Sequence, residues 1–143
     1  MGEAEGRTGS VRERVARSRF HSWIGMHLDR LEPGASELTL RVEEHHVNLM
    51  GVLHGGVVAS LADAATGIAM LSALEDGWSH LTTSLQLTFL SPARLGQVVT
   101  ARGRVLKAGR RFGYAEADVE GPDGSLIARA SASFTILAER ADQ

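Results

Sequence analysis

The sequence predicts an α+β fold in which an antiparallel sheet wraps around one long central helix. Three observations lead there. A proline-free apolar run of helical length, Val57 to Leu74, is followed by four segments of alternating apolar and polar residues, and many inward positions of those segments are Ala or Gly. Small inward residues suit a sheet curved closely around something thick, and the long helix is the one candidate for that place. With 143 residues, 43% hydrophobic and 22% charged, the chain suits a single domain over 1–143.

Residues 1–9 are mostly Gly, Glu, Thr and Arg with little to bury, so this stretch is expected to be flexible. Ser10 could then cap a helix over 10–20 with Val11 and Val15 on one face. From Ser36 to Val42, Leu38, Leu40 and Val42 alternate with Glu37, Thr39 and Arg41, as in a half-buried strand. After His54-Gly55-Gly56, the residues Val57, Leu61, Ala65, Ile68 and Ser72 recur at helical spacing. Asp63 points away from that stripe, yet its own face carries Ala59, Ser60, Thr66, Gly67 and Met70 rather than charges, so this helix is expected to be buried nearly all round. Four strands follow, carrying Leu81 to Phe89, Val99 to Val105, Gly113 to Val119 and Leu126 to Ile136. Their other faces are polar, which favours an antiparallel sheet with one wetter side. Ser91-Pro92, Lys107-Ala108-Gly109 and Gly121-Pro122-Asp123-Gly124 supply turns.

Composition narrows the function. The absence of cysteine removes thiolate metal sites, disulfides and cysteine nucleophiles. Fifteen basic against seventeen acidic residues give a net charge of −2, which argues against nonspecific polyanion binding. Trp23 and Trp78 are too isolated to form a stacking surface for nucleic acid. The stretch from Gly55 to Leu74 is interrupted by Ser60, Asp63, Thr66 and Ser72 and makes a poor membrane span. The N-terminus has no apolar run after its charges, so a cytoplasmic protein is expected.

Asp63 is the one charged side chain between Gly55 and Leu74. A carboxylate in an apolar helix is either held by donors in a structural role or tuned for nucleophilic or base work. Upstream, Gly55 and Gly56 at a helix start leave backbone N–H groups uncovered at the positive end of the dipole, where they could stabilise an oxyanion or simply permit a tight turn. Asn48 and His54 add side-chain hydrogen bonding beside that start. Acyl transfer needs such a set of oxyanion donors, a carboxylate and a positioning amide. Glu43-Glu44-His45-His46 reads as a metal cluster on paper, but neighbours in an extended segment point in opposite directions, so no metal site is expected.

The pattern N-x-x-G-x-x-H-G-G at Asn48 to Gly56, then Asp63, then a Thr-rich strand ending in Phe89-Leu90-Ser91-Pro92-Ala93, resembles the hot-dog-fold acyl-CoA thioesterases of the phenylacetate-degradation (PaaI-like) type. The resemblance runs from about Asn48 to Leu137. It implies a homodimer, usually paired again into a homotetramer, with two central helices side by side and each active site built across the interface. It further implies that Gly55 N–H polarises the thioester carbonyl, that Asn48 and His54 position the reacting groups, and that Asp63 of the facing subunit attacks the thioester or activates water. Thr82 falls where related enzymes place a Ser or Thr hydroxyl near the acid, with Ser84 behind it on the same face and Gly56 beside Gly55 in substrate binding. Arg94, Arg102, Arg104, Lys107, Arg110 and Arg111 follow one another without an intervening acid. This basic run would dock the coenzyme A phosphates, most of all at Lys107, Arg110 and Arg111. No cofactor is expected, since coenzyme A is part of the substrate. The expected reaction is hydrolysis of an (aryl)acyl-CoA, phenylacetyl-CoA or a hydroxylated relative, to free acid and coenzyme A. The rival expectation is a noncatalytic acyl-CoA-binding or sensing module. A hydratase or dehydratase fits less well, because those enzymes space their acid and histidine differently.

Overall fold

The computed structural model describes residues 2–140. Six strands, β1 Met26–Glu32, β2 Ala35–Arg41, β3 Trp78–Phe89, β4 Val98–Ala108, β5 Phe112–Glu120 and β6 Leu126–Ala138, form one antiparallel sheet in the order β1-β2-β4-β5-β6-β3. Two helices, α1 Glu3–Ala16 and α2 Arg19–Ile24, precede the sheet, and the long helix α3, Gly55–Ala73, lies in its concave face. The expected single helix wrapped by antiparallel strands is therefore the architecture formed, and α3 is buried on most of its circumference.

The small residues explain how closely helix and sheet approach. Ala101 and Gly103 of β4, Ala115 and Ala117 of β5, and Ala128, Ala130 and Ala132 of β6 are all buried. At Gly103 the approach is closest. A Cβ there would lie 2.3 Å from the Ala65 carbonyl oxygen, which also accepts a 2.7 Å hydrogen bond from the buried Ser36 hydroxyl. On the convex face the alternate residues carry charge. Arg102 bridges Glu37 and Glu120, Arg104 bridges Glu116 and Asp118, and Arg129 meets Asp118 at 2.8 Å. The hydrogen bond from Arg129, with Arg104 alongside, holds the Asp118 carboxyl below the usual carboxylate range.

Three expectations are corrected here. β1 was not anticipated, because a register shift between Leu28 and Arg30 breaks the alternation that would reveal it. The N-terminal helix begins at Glu3 rather than Ser10 and stops at Ala16, and Ser18 caps a second short helix by accepting from His21 N–H at 3.3 Å. Residues 3–9 are accordingly helical rather than loose, and the reason is Arg7, which is 7% exposed. Its guanidinium donates to Leu71 O at 3.1 Å and Trp78 O at 2.9 Å, and meets Asp76 at 3.2 Å. A cation at the carbonyl end of α3 adds a second donor to the Leu71 carbonyl in the last turn, ties that turn to Trp78 at the start of β3, and opposes the negative end of the helix dipole. Arg7→Met, which keeps the stem and removes the donors, should cost about 2 kcal/mol, measured as a lower urea midpoint at unchanged slope. Asp76→Asn should change little, because that carboxylate is mostly in water.

Candidate functional site

The start of α3 is built from a short loop closed on itself. Asn48 Oδ1 accepts from Met50 N–H at 2.9 Å and Val52 N–H at 3.2 Å, which fixes the carboxamide oxygen in the loop and leaves the NH2 group without a partner among the described residues. His54 is the N-cap of α3, with Nδ1 accepting from Gly56 N–H at 2.8 Å. Val57 and Val58 N–H both reach the His54 carbonyl, at 2.9 and 3.2 Å. Of the first four amides of α3, that leaves Gly55 N–H as the one with no acceptor among the described residues. Gly56 N–H, by contrast, is spent on the His54 ring and offers nothing to a ligand through its amide.

Gly55 and Asn48 line the same cavity of 310 Å³, walled by Val52, Leu53, Phe89 and Ile127. The Phe89 ring lies directly over the glycine, 3.2 Å from where a Cβ would stand. A free amide at the positive end of a helix, opening into a largely apolar cavity, is suited to holding a carbonyl oxygen as it gains charge.

Asp63 lies elsewhere. Eight residues of helix separate it from Gly55, about 12 Å of axial rise, and it does not line the Gly55 cavity. Its Oδ1 accepts the Thr82 hydroxyl at 2.9 Å. Thr82 sits on β3, which pairs with β6 on one side only and presents its other edge open. Thus the structure brings Asp63 and Thr82 together, and Asn48, His54 and Gly55 together, but holds the two groups apart within one chain.

The β3 strand also corrects the pairing of Thr82 with Ser84. A bulge at Thr83 shifts the register against β6 between Thr82 and Ser84. Before it, His80 and Thr82 face α3; after it, Leu85, Leu87 and Phe89 do, leaving Ser84 on the opposite face and exposed. Alternation across an unbroken strand would have kept Thr82 and Ser84 together, and the extra residue cancels it.

The basic run divides as well. Arg102 and Arg104 are committed to cross-strand ion pairs on the convex face. Lys107, Arg110 and Arg111 make no ion pair among the described residues, and the two arginines line a 690 Å³ cavity with Leu74, Trp78 and Ile136 at the far end of α3. Glu43, His45 and His46 do converge, because Glu44–His46 is a single 3-10 turn rather than extended chain. His46 is nevertheless spent: Nδ1 accepts from Glu43 N–H at 3.0 Å and Nε2 donates to Ile24 O at 2.6 Å. Coordinating a metal there would break a buried pair of backbone contacts.

Two side chains at the site were not anticipated. Phe89, which closes the Thr-rich strand in the sequence motif, also walls the cavity over Gly55. His80, two positions before Thr82 on the same face, approaches Gly67 O at 2.7 Å. The period of two that marks Thr82 as facing α3 marks His80 equally.

Comparison with known proteins places residues 50–128 within the model of the thioesterase superfamily. Human acyl-coenzyme A thioesterase 13 is 35% identical over 98 residues, covering 68% of this chain and 69% of its own. A thioesterase family protein from Silicibacter pomeroyi superposes with a TM-score of 0.87 at 30% identity, over 93% of this chain and 99% of its own. The PaaI protein from the phenylacetic acid degradation operon of E. coli superposes with a TM-score of 0.85, over 95% and 94%. At 20% identity that last likeness speaks to the fold alone.

Proposed function

The chain belongs to the thioesterase superfamily and has the hot-dog architecture, and from that premise we propose that it hydrolyses acyl-CoA thioesters to the free acid and coenzyme A. The observation that carries the reading is the divided site. An unclaimed Gly55 amide opens into an apolar cavity, while the Asp63 carboxylate stands about 12 Å along the same helix, facing an unpaired sheet edge. A two-fold copy completes such an arrangement. In β3, twelve residues long, Leu81 is 64% exposed, and an open edge of that length invites pairing with a second β3. Antiparallel pairing would lay two α3 helices side by side and bring one protomer's Gly55 toward the partner's Asp63. A homotetramer would pair two such dimers.

In this reading Gly55 N–H and the Asn48 amide hold the thioester carbonyl, and His54 keeps the first turn of α3 in place. Thr82 fixes one oxygen of Asp63, leaving the other for chemistry. Asp63 either attacks the carbonyl carbon, forming an anhydride that water opens, or takes the proton from attacking water. In both cases the C–S bond breaks, water is consumed either at the acyl carbon or in opening the anhydride at the Asp63 carbonyl, and thiol leaves with a proton, so no cofactor is needed. Glycine at position 56 keeps side-chain bulk away from the entrance. Ser84, exposed on the opposite face of β3, would meet substrate only from beyond the dimer edge. With Gly55 opposite Asp63, the far end of the partner's α3 extends roughly 15 Å past Gly55. Its Lys107, Arg110 and Arg111 would then reach the coenzyme A phosphates. The 310 Å³ cavity suits an aryl or medium acyl group, with phenylacetyl and hydroxylated relatives the first candidates. A cytoplasmic location accompanies this reading.

The test is thiol release from phenylacetyl, hydroxybenzoyl, short, medium and long acyl-CoA esters. Turnover of at least one is expected, and the Arg110→Gln/Arg111→Gln double variant should raise KM about tenfold with kcat nearly unchanged. Tight binding of acyl-CoA without turnover of any ester would favour a sensing module instead.

A further inference from the structure

We propose that His80 is a positioning residue for the reaction: its imidazole clamps the edge strand β3 to α3 and thereby holds the Thr82 hydroxyl against the Asp63 carboxylate. The inference rests on the assignment of Asp63 to the chemistry.

The contact itself fixes the chemical form of the ring. His80 Nε2 lies 2.7 Å from Gly67 O, and a carbonyl oxygen only accepts, so Nε2 carries the proton and Nδ1 the lone pair. Nδ1 is buried with no partner among the described residues. Burial pushes the imidazole below its usual value, which keeps it neutral. The ring packs edge-on against Phe134 with centroids 4.8 Å apart, and its Cε1 occupies space 3.2 Å from where a side chain at position 67 would begin. A purely apolar ring would fill this place without leaving a buried nitrogen unsatisfied. What the imidazole adds is a donor to the helix.

That donor sits in register with the candidate site. Asp63 and Gly67 are four residues apart on α3, about 6 Å of rise, and Thr82 and His80 are two apart on β3, about 6.6 Å. Strand and helix run antiparallel with matching steps, so Thr82 to Asp63 and His80 to Gly67 form two rungs of one ladder. Thr82 is exposed, β3 has a partner strand on one side only, and the bulge at Thr83 loosens the register immediately beyond. With the second rung removed, a single solvent-facing hydrogen bond would have to hold the carboxylate's orientation.

The experiment compares the full-length wild type with His80→Phe, which keeps the ring and loses the donor, and His80→Gln, whose amide N–H reaches nearly as far as Nε2. Two quantities are read in each: kcat and KM for thiol release, and the carbon-13 chemical shift of the Asp63 carboxyl at fixed neutral pH. In His80→Phe, kcat should fall about 10- to 100-fold with KM unchanged. The Asp63 carboxyl resonance should move, because the Thr82 hydrogen bond to it is no longer held in place. His80→Gln should recover most of both. Where His80→Phe fails to fold, His80→Asn, too short to reach Gly67, takes its place. Wild-type kcat and an unmoved Asp63 resonance in the donor-less variant would overturn the inference, as would a glutamine variant no better than the phenylalanine. If wild-type protein releases thiol from no ester, the thioesterase reading fails separately, and the Asp63 resonance still decides whether His80 sets that carboxylate.

Discussion

Replacing Asp63 with asparagine is expected to lower kcat for acyl-CoA hydrolysis by about 10²–10⁴-fold, the range associated with losing a positioned acid or base. The side chain is half-buried and its Oδ1 accepts the Thr82 hydroxyl. An asparagine oxygen accepts the same bond in the same volume, so the fold and the proposed dimer should persist. What disappears is the capacity to take a proton or to attack a carbonyl. KM should stay close to wild type, because the proposed carbonyl contacts lie on Gly55 and Asn48. Thiol release measures the loss, and size-exclusion chromatography checks assembly. Turnover equal to wild type would return Asp63 to a structural role. In labelled water, oxygen-18 recovered in Asp63 after turnover would identify direct attack by the carboxylate.

The largest effect on stability is expected far from any candidate catalytic group, at Gly103→Ala. A Cβ at that position would stand 2.3 Å from the Ala65 oxygen and 2.6 Å from its carbonyl carbon. Both are backbone atoms in the middle of α3, so no side-chain rotation relieves the clash. Helix and sheet must separate, and the Ser36 hydroxyl bond to the same oxygen stretches with them. A loss upwards of about 3 kcal/mol should appear as a lower urea midpoint. Because Ala65 is two residues from Asp63, surviving folded protein should also turn over more slowly. Unchanged stability would show that α3 can shift outward at little cost.

The central helix and five of the six strands were legible because each shows one clear period, every third or fourth residue along α3 and every second residue along the strands. The exceptions share a cause. In β1 the register shift after Leu28 broke the period, and in β3 the bulge at Thr83 left an unbroken-looking pattern with its second half facing the other way. The extent of α1 was hidden because its anchor, Arg7, is charged, and charge along a sequence reads as exposure. In the site, the loop from Asn48 to Gly56 was legible because its hydrogen bonds close within nine residues. The meeting of Asp63 with Thr82 came from family resemblance. That of His80 with Gly67 joins two elements whose relative placement only the folded chain defines. For the basic run, the acids that neutralise Arg102 and Arg104 lie on neighbouring strands, opposite them in the sheet.

The extra residue in β3 makes that strand a sentence with two reading frames. Positions 80 and 82, ahead of it, are available to serve turnover, while positions 85 and 87, behind it, serve the interior. Variation in one group can therefore be tolerated or rejected on grounds that do not touch the other. The exception is length: removing Thr83 would merge the frames, sending either the hydroxyl of Thr82 or the side chains of Leu85 and Leu87 to the wrong side in a single step. For anyone grafting this segment into another scaffold, the unit to transplant is the strand together with its irregularity.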